Sequence, residues 1–246
     1  MIDLNFLGIG SAFTPELGNN SSYYKENDNM ILIDCGWDVY PKIRKFNLLD
    51  NINTLYIFCT HTHQDHCGSM GTLISWCSQV KAIKVYLVLP PDLEWIENLT
   101  NMLNTADVYL NEDYYILNNL ENIFSKIVNV SFFEVEHCAR IKSYAMKFYF
   151  NNNTFMVYSG DCANIQSVLK QTIDSNSYKF TRAYVDCNLE SLSKISSIKP
   201  HELLADLETF IPINMRKYFY VMHYDSLKCI DAAKQCGFNT VASKLK

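Results

Sequence analysis

Glycine and proline are scarce in this chain, eight and six residues among 246, and they fall singly between periodic segments. No stretch is rich enough in them to form a linker, and no short-period repeat occurs. A solenoid is thereby excluded, and one domain spanning residues 1–246 is expected. Cations are in the minority, 21 Lys and Arg against 26 Asp and Glu, for a net charge of −5 and a pI near 5.7. Attraction of the whole molecule to a nucleic-acid backbone needs the opposite sign, so RNA or DNA is disfavoured as the main partner. No apolar run approaches the roughly 18 residues of a membrane span. No basic segment followed by an apolar stretch opens the chain, so neither membrane anchor nor secretion leader is expected. The nine cysteines are odd in number and contain no CxxC pair, which speaks against a disulfide framework and for reduced thiols in a cytosol.

Apolar residues, in contrast, make up 48% of the chain and aromatics 13%, ample for a large core and incompatible with disorder. Short β-branched runs read as strands at Leu4–Leu7, Met30–Ile33, Leu55–Phe58, Val85–Leu89, Val128–Phe133, Tyr144–Phe150, Phe155–Tyr158, Ala183–Asp186 and Tyr218–Met222. Helical faces read at Met70, Leu73, Ile74 and Cys77; at Leu93, Ile96, Leu99 and Leu103; and at Leu203, Leu204, Leu207 and Phe210. A last face, Leu227, Ile230 and Ala233, has Asp225 as expected N-cap and Gly237 just past its end. The order is hairpin-like strands followed by strand–helix units, twice over. That pattern predicts an α/β protein with mixed sheets covered by helices on their outer faces.

The sharpest feature is Thr60-His61-Thr62-His63-Gln64-Asp65-His66-Cys67-Gly68, between an apolar strand and a helical pattern. Half of the chain's six histidines lie within it. In extended chain His61 and His63 point the same way, because side chains alternate with period two. Asp65 and His66 then begin the turn into the helix. Imidazole and carboxylate together suit Zn, and also Mn or Fe. Further donors stand at the C-terminal ends of apolar strands: His137 after Val128–Phe133, Asp161 after Phe155–Tyr158, and His223 after Tyr218–Met222. Singly, each reads more readily as a surface histidine or a turn aspartate. Together they describe strand ends converging on one volume.

The HxHxDH motif at 61–66, His137, the Ser159-Gly160-Asp161 aspartate and His223 stand in the order of the metallo-β-lactamase superfamily, which this chain resembles. The opening Phe6-Leu7-Gly8-Ile9-Gly10-Ser11, then Asn19-Asn20-Ser21-Ser22, then Ile33-Asp34-Cys35-Gly36, is similar to the RNase Z-like phosphodiesterase branch. The resemblance implies a four-layer αββα sandwich with two metal ions at one edge, Zn2+ by default and Mn2+ or Fe2+ with the same donors. It further implies that His61, His63 and His137 hold one ion, that Asp65, His66 and His223 hold the other, and that Asp161 bridges. Two dications about 3.5–4 Å apart acidify water toward a pKa of roughly 7 and neutralise transition-state charge. Asp65 would also orient that water.

Other residues carry quieter expectations. Gly8 and Gly10 read as a tight turn at the site's rim, and Asp34 as an acceptor bracing the metal-holding loops. Cys35, Cys67, Cys138 and Cys162 read as packing residues. His201 opens a helical pattern at Pro200-His201-Glu202. It reads either as a helix-start residue facing water or, as in phosphodiesterases of this branch, as a group that protonates the leaving oxygen or binds the anion. The Ser or Thr usual two places after it is replaced by Leu203.

Substrate size follows from an absence. The tRNA-processing members carry a basic, Gly-rich arm after the HxHxDH motif. Here residues 90–130 are acidic and Asn-rich, with Asp92, Glu94, Glu97, Asp107, Glu112, Asp113 and Glu121. A small phosphodiester is therefore expected. The compact length resembles the phage anti-Pycsar enzymes and their bacterial relatives, which implies a cyclic-nucleotide substrate, a linear monophosphate product and a homodimer. Tyr23, Tyr24, Tyr109, Tyr114 and Tyr115 are available to stack on a base, or serve as strand and interface residues. A tRNA endonuclease, a lactone or thioester hydrolase on the same metals, and a non-catalytic cyclic-nucleotide binder remain the alternatives.

Overall fold

The computed structural model describes residues 1–173, 178–190 and 199–244. Its strands are β1 (Asn5–Gly8), β2 (Ser21–Glu26), β3 (Asn29–Ile33), β4 (Thr54–Phe58), β5 (Lys84–Val88), β6 (Tyr115–Leu117), β7 (Ile127–Cys138), β8 (Ile141–Phe150), β9 (Thr154–Tyr158), β10 (Lys179–Asp186), β11 (Phe219–Met222) and β12 (Asn239–Thr240). They form two six-stranded sheets, ordered β1-β2-β3-β4-β5-β6 and β12-β11-β10-β9-β8-β7. Each sheet starts as an antiparallel meander of three strands and continues in parallel, with helices in the crossovers. The repeated order read from the sequence is this doubled topology.

Period-two alternation sorts the side chains of the first sheet between two cores. Ile31, Ile33, Tyr56, Phe58 and Val88 face the second sheet, while Met30, Leu32, Leu55, Ile57, Val85 and Leu87 face outward. The outward set is covered by α1 (Val39–Lys45), α3 (Met70–Trp76) and α4 (Leu93–Asn104), with the single-turn α2 (Gln64–Cys67) between strand and α3. On the second sheet the cover is α5 (Ile165–Gln171), α6 (Leu204–Phe210) and α7 (Leu227–Gln235), whose Val168, Leu207 and Ala233 are fully buried. Each such buried aliphatic side chain larger than Ala stabilises the sandwich by about 1.5–3 kcal/mol. No helix among the described residues is long and apolar enough to cross a membrane.

Helix phase departs from the sequence reading at the caps. Asp92 caps α4 through Trp95 N, which places Leu93 at the first helical position, 83% exposed. Trp95, Leu99 and Leu103 form the buried face instead. At α7 the cap is Ser226, accepting from Cys229 N, and not Asp225, whose carboxylate accepts from Leu189 N and Glu190 N. Leu227 is consequently exposed, and Cys229, Ile230 and Ala233 are buried. Leu203 is the extended N-cap of α6, Phe210 is exposed, and Ile211 completes the buried face with Leu204 and Leu207. Gly8 and Gly10 form no turn. They lie in extended chain, where a Cβ on Gly8 would stand 2.1 Å from Asn19 O and one on Gly10 2.7 Å from Leu17 Cβ. Their contribution is close backbone approach. Residues 90–130 form α4 and β6 against the first sheet rather than a projecting arm.

Candidate metal centre

The parallel strands of both sheets point their C-terminal ends to the same edge, and all six histidines of the chain gather there. After β4 the chain bends at Thr60 and runs to His63, the N-cap residue of α2, whose own backbone is extended (φ −66°, ψ 148°). His61 and His63 turn to the same side, with Nε2 and Nδ1 2.9 Å apart. From the end of β7, His137 brings Nε2 to 3.0 Å from His63 Nδ1. Asp161, after β9, places Oδ2 3.6 Å from His61 Nε2 and 3.7 Å from His137 Nε2.

The other carboxylate oxygen of Asp161 serves a second group. Its Oδ1 is 3.1 Å from His66 Nε2 and 3.3 Å from His223 Nε2, and Asp65 Oδ2 is 3.4 Å from each of those nitrogens. Three four-membered donor sets have their donor atoms within 4.8 Å of one another: His61/His63/His137/Asp161, Asp65/His66/Asp161/His223, and Asp161/Asp186/His201/His223, which overlaps the second at Asp161 and His223. The structure thus brings together every metal-holding residue expected from the sequence, around one shared aspartate.

Outer contacts aim the rings. Asp34, with a left-handed backbone (φ 63°), accepts from Thr60 N at 2.8 Å and faces His66 Nδ1 at 2.8 Å. This is the bracing role expected of it. His137 Nδ1 donates to Pro200 O at 2.6 Å. Gly36 has no alternative: a Cβ there would stand 2.1 Å from Asp65 O. The left-handed Gly160 likewise presses against Thr60. Of the cysteines near the motifs, Cys35, Cys67 and Cys162 are buried, and burial pushes each thiol up to about 12, so they pack as thiols. Cys138 is only half-buried, with Sγ 3.9 Å from the outer nitrogen of His63.

His201 does not face water. Its side chain is 15% exposed, and its Nδ1 lies 2.8 Å from Asp186 Oδ2 and 3.7 Å from Asp161 Oδ2. Asp186, at the end of β10, went unmarked in the sequence reading. Its signal was the one that marked Asp161 and His223, a donor at the C-terminal end of an apolar strand. It also accepts from Cys162 N at 3.1 Å.

Charge explains what the centre can take up. Burial disfavours ionisation throughout, yet the facing imidazoles hold Asp65 and Asp161 well below the usual carboxylate range. Burial opposes protonation of His66 and His223, but the carboxylates outweigh it, Asp161 first; His66 rises well above its ordinary value and His223 to about 10. On the other side burial dominates, so His61 and His63 are lowered and His137 falls to about 4. The carboxylates recruit positive charge on one side, while neutral imidazole lone pairs wait on the other. Asp161 Oδ1 is buried between the Nε2 atoms of His66 and His223. A buried set of imidazole nitrogens and carboxylate oxygens, with no thiolate among them, fits borderline divalent cations.

A cavity of about 660 Å3 opens beside the cluster, bordered by Thr62, His137, Trp95, Arg140, Lys142 and Lys199. None of Tyr23, Tyr24, Tyr109, Tyr114 and Tyr115 lines it. Tyr23 and Tyr114 are buried in the outer core of the first sheet.

Comparison with known proteins agrees with this architecture. The structure superposes on the metallo-β-lactamase-fold protein YhfI from Bacillus subtilis with a TM-score of 0.68 and 16% identity, covering 96% of this chain and 93% of that one. It superposes on the short form of human tRNase Z with a TM-score of 0.64 and 17% identity, covering 96% and 95%. In sequence, the anti-Pycsar protein Apyc1 of Bacillus phage BSP38 is 24% identical over 238 residues, 90% of this chain and 88% of the relative. The family model described as anti-Pycsar protein Apyc1 matches residues 2–245, so the chain belongs to the anti-Pycsar Apyc1 family.

Proposed function

We propose that this chain is a metal-dependent phosphodiesterase that opens the phosphodiester ring of cyclic nucleotides, and that it serves a phage as counter-defence against cyclic-nucleotide signalling. The observation that carries this reading is the pairing of two donor sets through Asp161 beside a histidine–aspartate dyad. His61, His63, His137 and Asp161 would hold one Zn2+, and Asp65, His66, His223 and Asp161 the other. When bound, a pair of such cations lowers the pKa of water and offsets charge developing on phosphoryl oxygens.

The remaining roles belong to side chains. Asp65 would accept a hydrogen bond from the attacking water and orient it, the proton that this water sheds passing to solvent. Asp186 binds His201 Nδ1 and so leaves Nε2 free for the leaving oxygen. Burial opposes protonation of His201, but Asp186 overcomes it and raises the ring above its ordinary value, as a proton donor near neutrality requires. The water oxygen–phosphorus bond forms, the bond from phosphorus to a ribose oxygen breaks, and the proton of His201 goes to that oxygen. A linear nucleoside monophosphate leaves. The cavity beside His137 is within the 300–1,000 Å3 range of small-molecule sites.

The same reading places the enzyme in the cytosol as a homodimer, which light scattering would check. The deciding experiment combines metal analysis with a chromatographic panel of 2′,3′- and 3′,5′-cyclic nucleotides, cyclic dinucleotides, a tRNA precursor and a lactone. We expect two zinc ions per chain, fastest turnover of a cyclic mononucleotide, and a loss of at least about 100-fold in Asp65→Ala. Preference for the tRNA or the lactone, or an unaffected Asp65→Ala enzyme, refutes it.

A further inference from the structure

Asp186 and His223 come from different strands, and His201 from the segment before α6, yet all three must keep one arrangement. His223 does so with a left-handed backbone, φ 58°, a conformation uncommon for a residue other than glycine. One fully buried residue touches all of these elements. Asn188, two residues beyond β10, donates from Nδ2 to Asp186 Oδ1 at 3.1 Å and to His223 O at 3.2 Å. Both partners are acceptors, which fixes the orientation of the amide. Its backbone N–H donates to Glu202 O at 2.9 Å, and its carbonyl accepts from Leu204 N at 2.9 Å. The amide Oδ1 has no hydrogen-bond partner among the described residues. The side chain is therefore held in place through its two hydrogens, and these go to the carboxylate that orients His201 and to the carbonyl of the strained His223.

We infer that Asn188 is a positioning residue that locks His223 in its left-handed conformation and ties it, through Asp186 and the Glu202–Leu204 backbone, to His201. It touches neither substrate nor reacting atoms. Its effect is to keep the spacing between a metal-holding imidazole and a proton-donating one. The turnover consequence rests on the function proposed above; the metal-binding consequence rests only on the donor set containing His223.

The test uses Asn188→Ala and the isosteric Asn188→Asp, in which an oxygen replaces the donor facing Asp186 Oδ1 and His223 O. Zinc affinities are measured by competition with a chromophoric chelator, alongside turnover of an aryl phosphodiester and of a cyclic mononucleotide. We expect one of the two zinc ions to bind 10–100-fold more weakly while the other keeps its affinity. We also expect kcat to fall with KM nearly unchanged, and to fall further for the cyclic nucleotide, whose alkoxide leaving group needs the proton of His201, than for the aryl diester. Circular dichroism of the metal-free proteins identifies a variant that does not fold, and the reading is then taken from the isosteric one. Wild-type affinity for both ions, or an equal loss of turnover on both substrates with both ions retained, overturns the inference. Selective loss of one ion in a protein whose wild type cleaves neither diester supports it and refutes the proposed function instead.

Discussion

Replacing Asp34 by asparagine exchanges one heavy atom and should disable, as a cation ligand, a nitrogen that Asp34 never touches. Asp34 Oδ1 accepts from Thr60 N at 2.8 Å, while Oδ2 faces Thr60 Oγ1 at 2.9 Å and His66 Nδ1 at 2.8 Å. In Asp34→Asn the oxygen stays with the Thr60 amide and the new NH2 takes the place of Oδ2. Thr60 Oγ1 can accept from it. His66 Nδ1 can meet it only with a lone pair, which drives the ring proton onto Nε2, the atom 3.1 Å from Asp161 Oδ1. A protonated Nε2 cannot bind a cation, so affinity for the ion held with Asp65 and His223 should fall about 10–100-fold, or roughly 1.4–2.7 kcal/mol. Asparagine tolerates the left-handed backbone and keeps the volume, so the metal-free fold should lose only about 1–3 kcal/mol. Asp34→Ala separates the two effects. It adds about 1–2 kcal/mol for the backbone conformation and strands the Thr60 N–H as well. Chelator competition reads the affinity, and urea unfolding of the metal-free variants reads the stability. Asp34→Asn with unchanged affinity for both ions would refute the tautomer argument.

Three further outcomes are expected. Gly36→Ala drives a methyl into Asp65 O, displacing α2; it should cost about 1–3 kcal/mol in urea unfolding and most of the turnover, and a wild-type variant would show that the contact is soft. Zinc at about a thousand times its dissociation constant adds roughly 4 kcal/mol of stability, so stripping it should lower the thermal midpoint by about 8–16 °C; an unmoved midpoint would mean that the cluster binds no cation. Finally, the metal-free fold has a pH optimum. The folded pKa of His223, about 10, exceeds its unfolded value of roughly 6.5, so its contribution is complete below about pH 6.5 and is lost as pH rises toward 10. The folded pKa of His137, about 4, is depressed, so the unfolded chain binds the extra proton between about pH 4 and 6.5, and stability falls with acidification there. Denaturation midpoints against pH should peak near neutrality without metal, and a monotonic rise to pH 10 would contradict the assigned charges.

The architecture was legible where apolar alternation and a donor coincide. Leu55–Phe58 before His61 and Tyr218–Met222 before His223 are apolar runs with a donor at the end, and both fold as such. Strand β2 escaped notice because Ser21, Ser22, Lys25 and Glu26 dilute its apolar signal, although both serines are buried. Helix phase slipped at Leu93 and Leu227 because each follows a cap, and a residue just after a cap joins the periodic pattern without reaching the core. Asp186 read as the last residue of a strand, and Asn188 carried no signal, since an amide beyond a strand is the commonest of turn residues. The left-handed backbones of Asp34 and His223 are set by tertiary hydrogen bonds and leave no local trace.

The doubled sheet topology has a consequence for synthesis. Donors of the cluster are divided between the halves: His61, His63, Asp65 and His66 come from the half that builds the first sheet, while His137, Asp161 and His223 come from the half that builds the second. A nascent chain that has completed only the first sheet holds an open fragment of the cluster. At least two of the four members of each donor set are then still missing, so the cluster assembles only when the second sheet has formed and docked on the first.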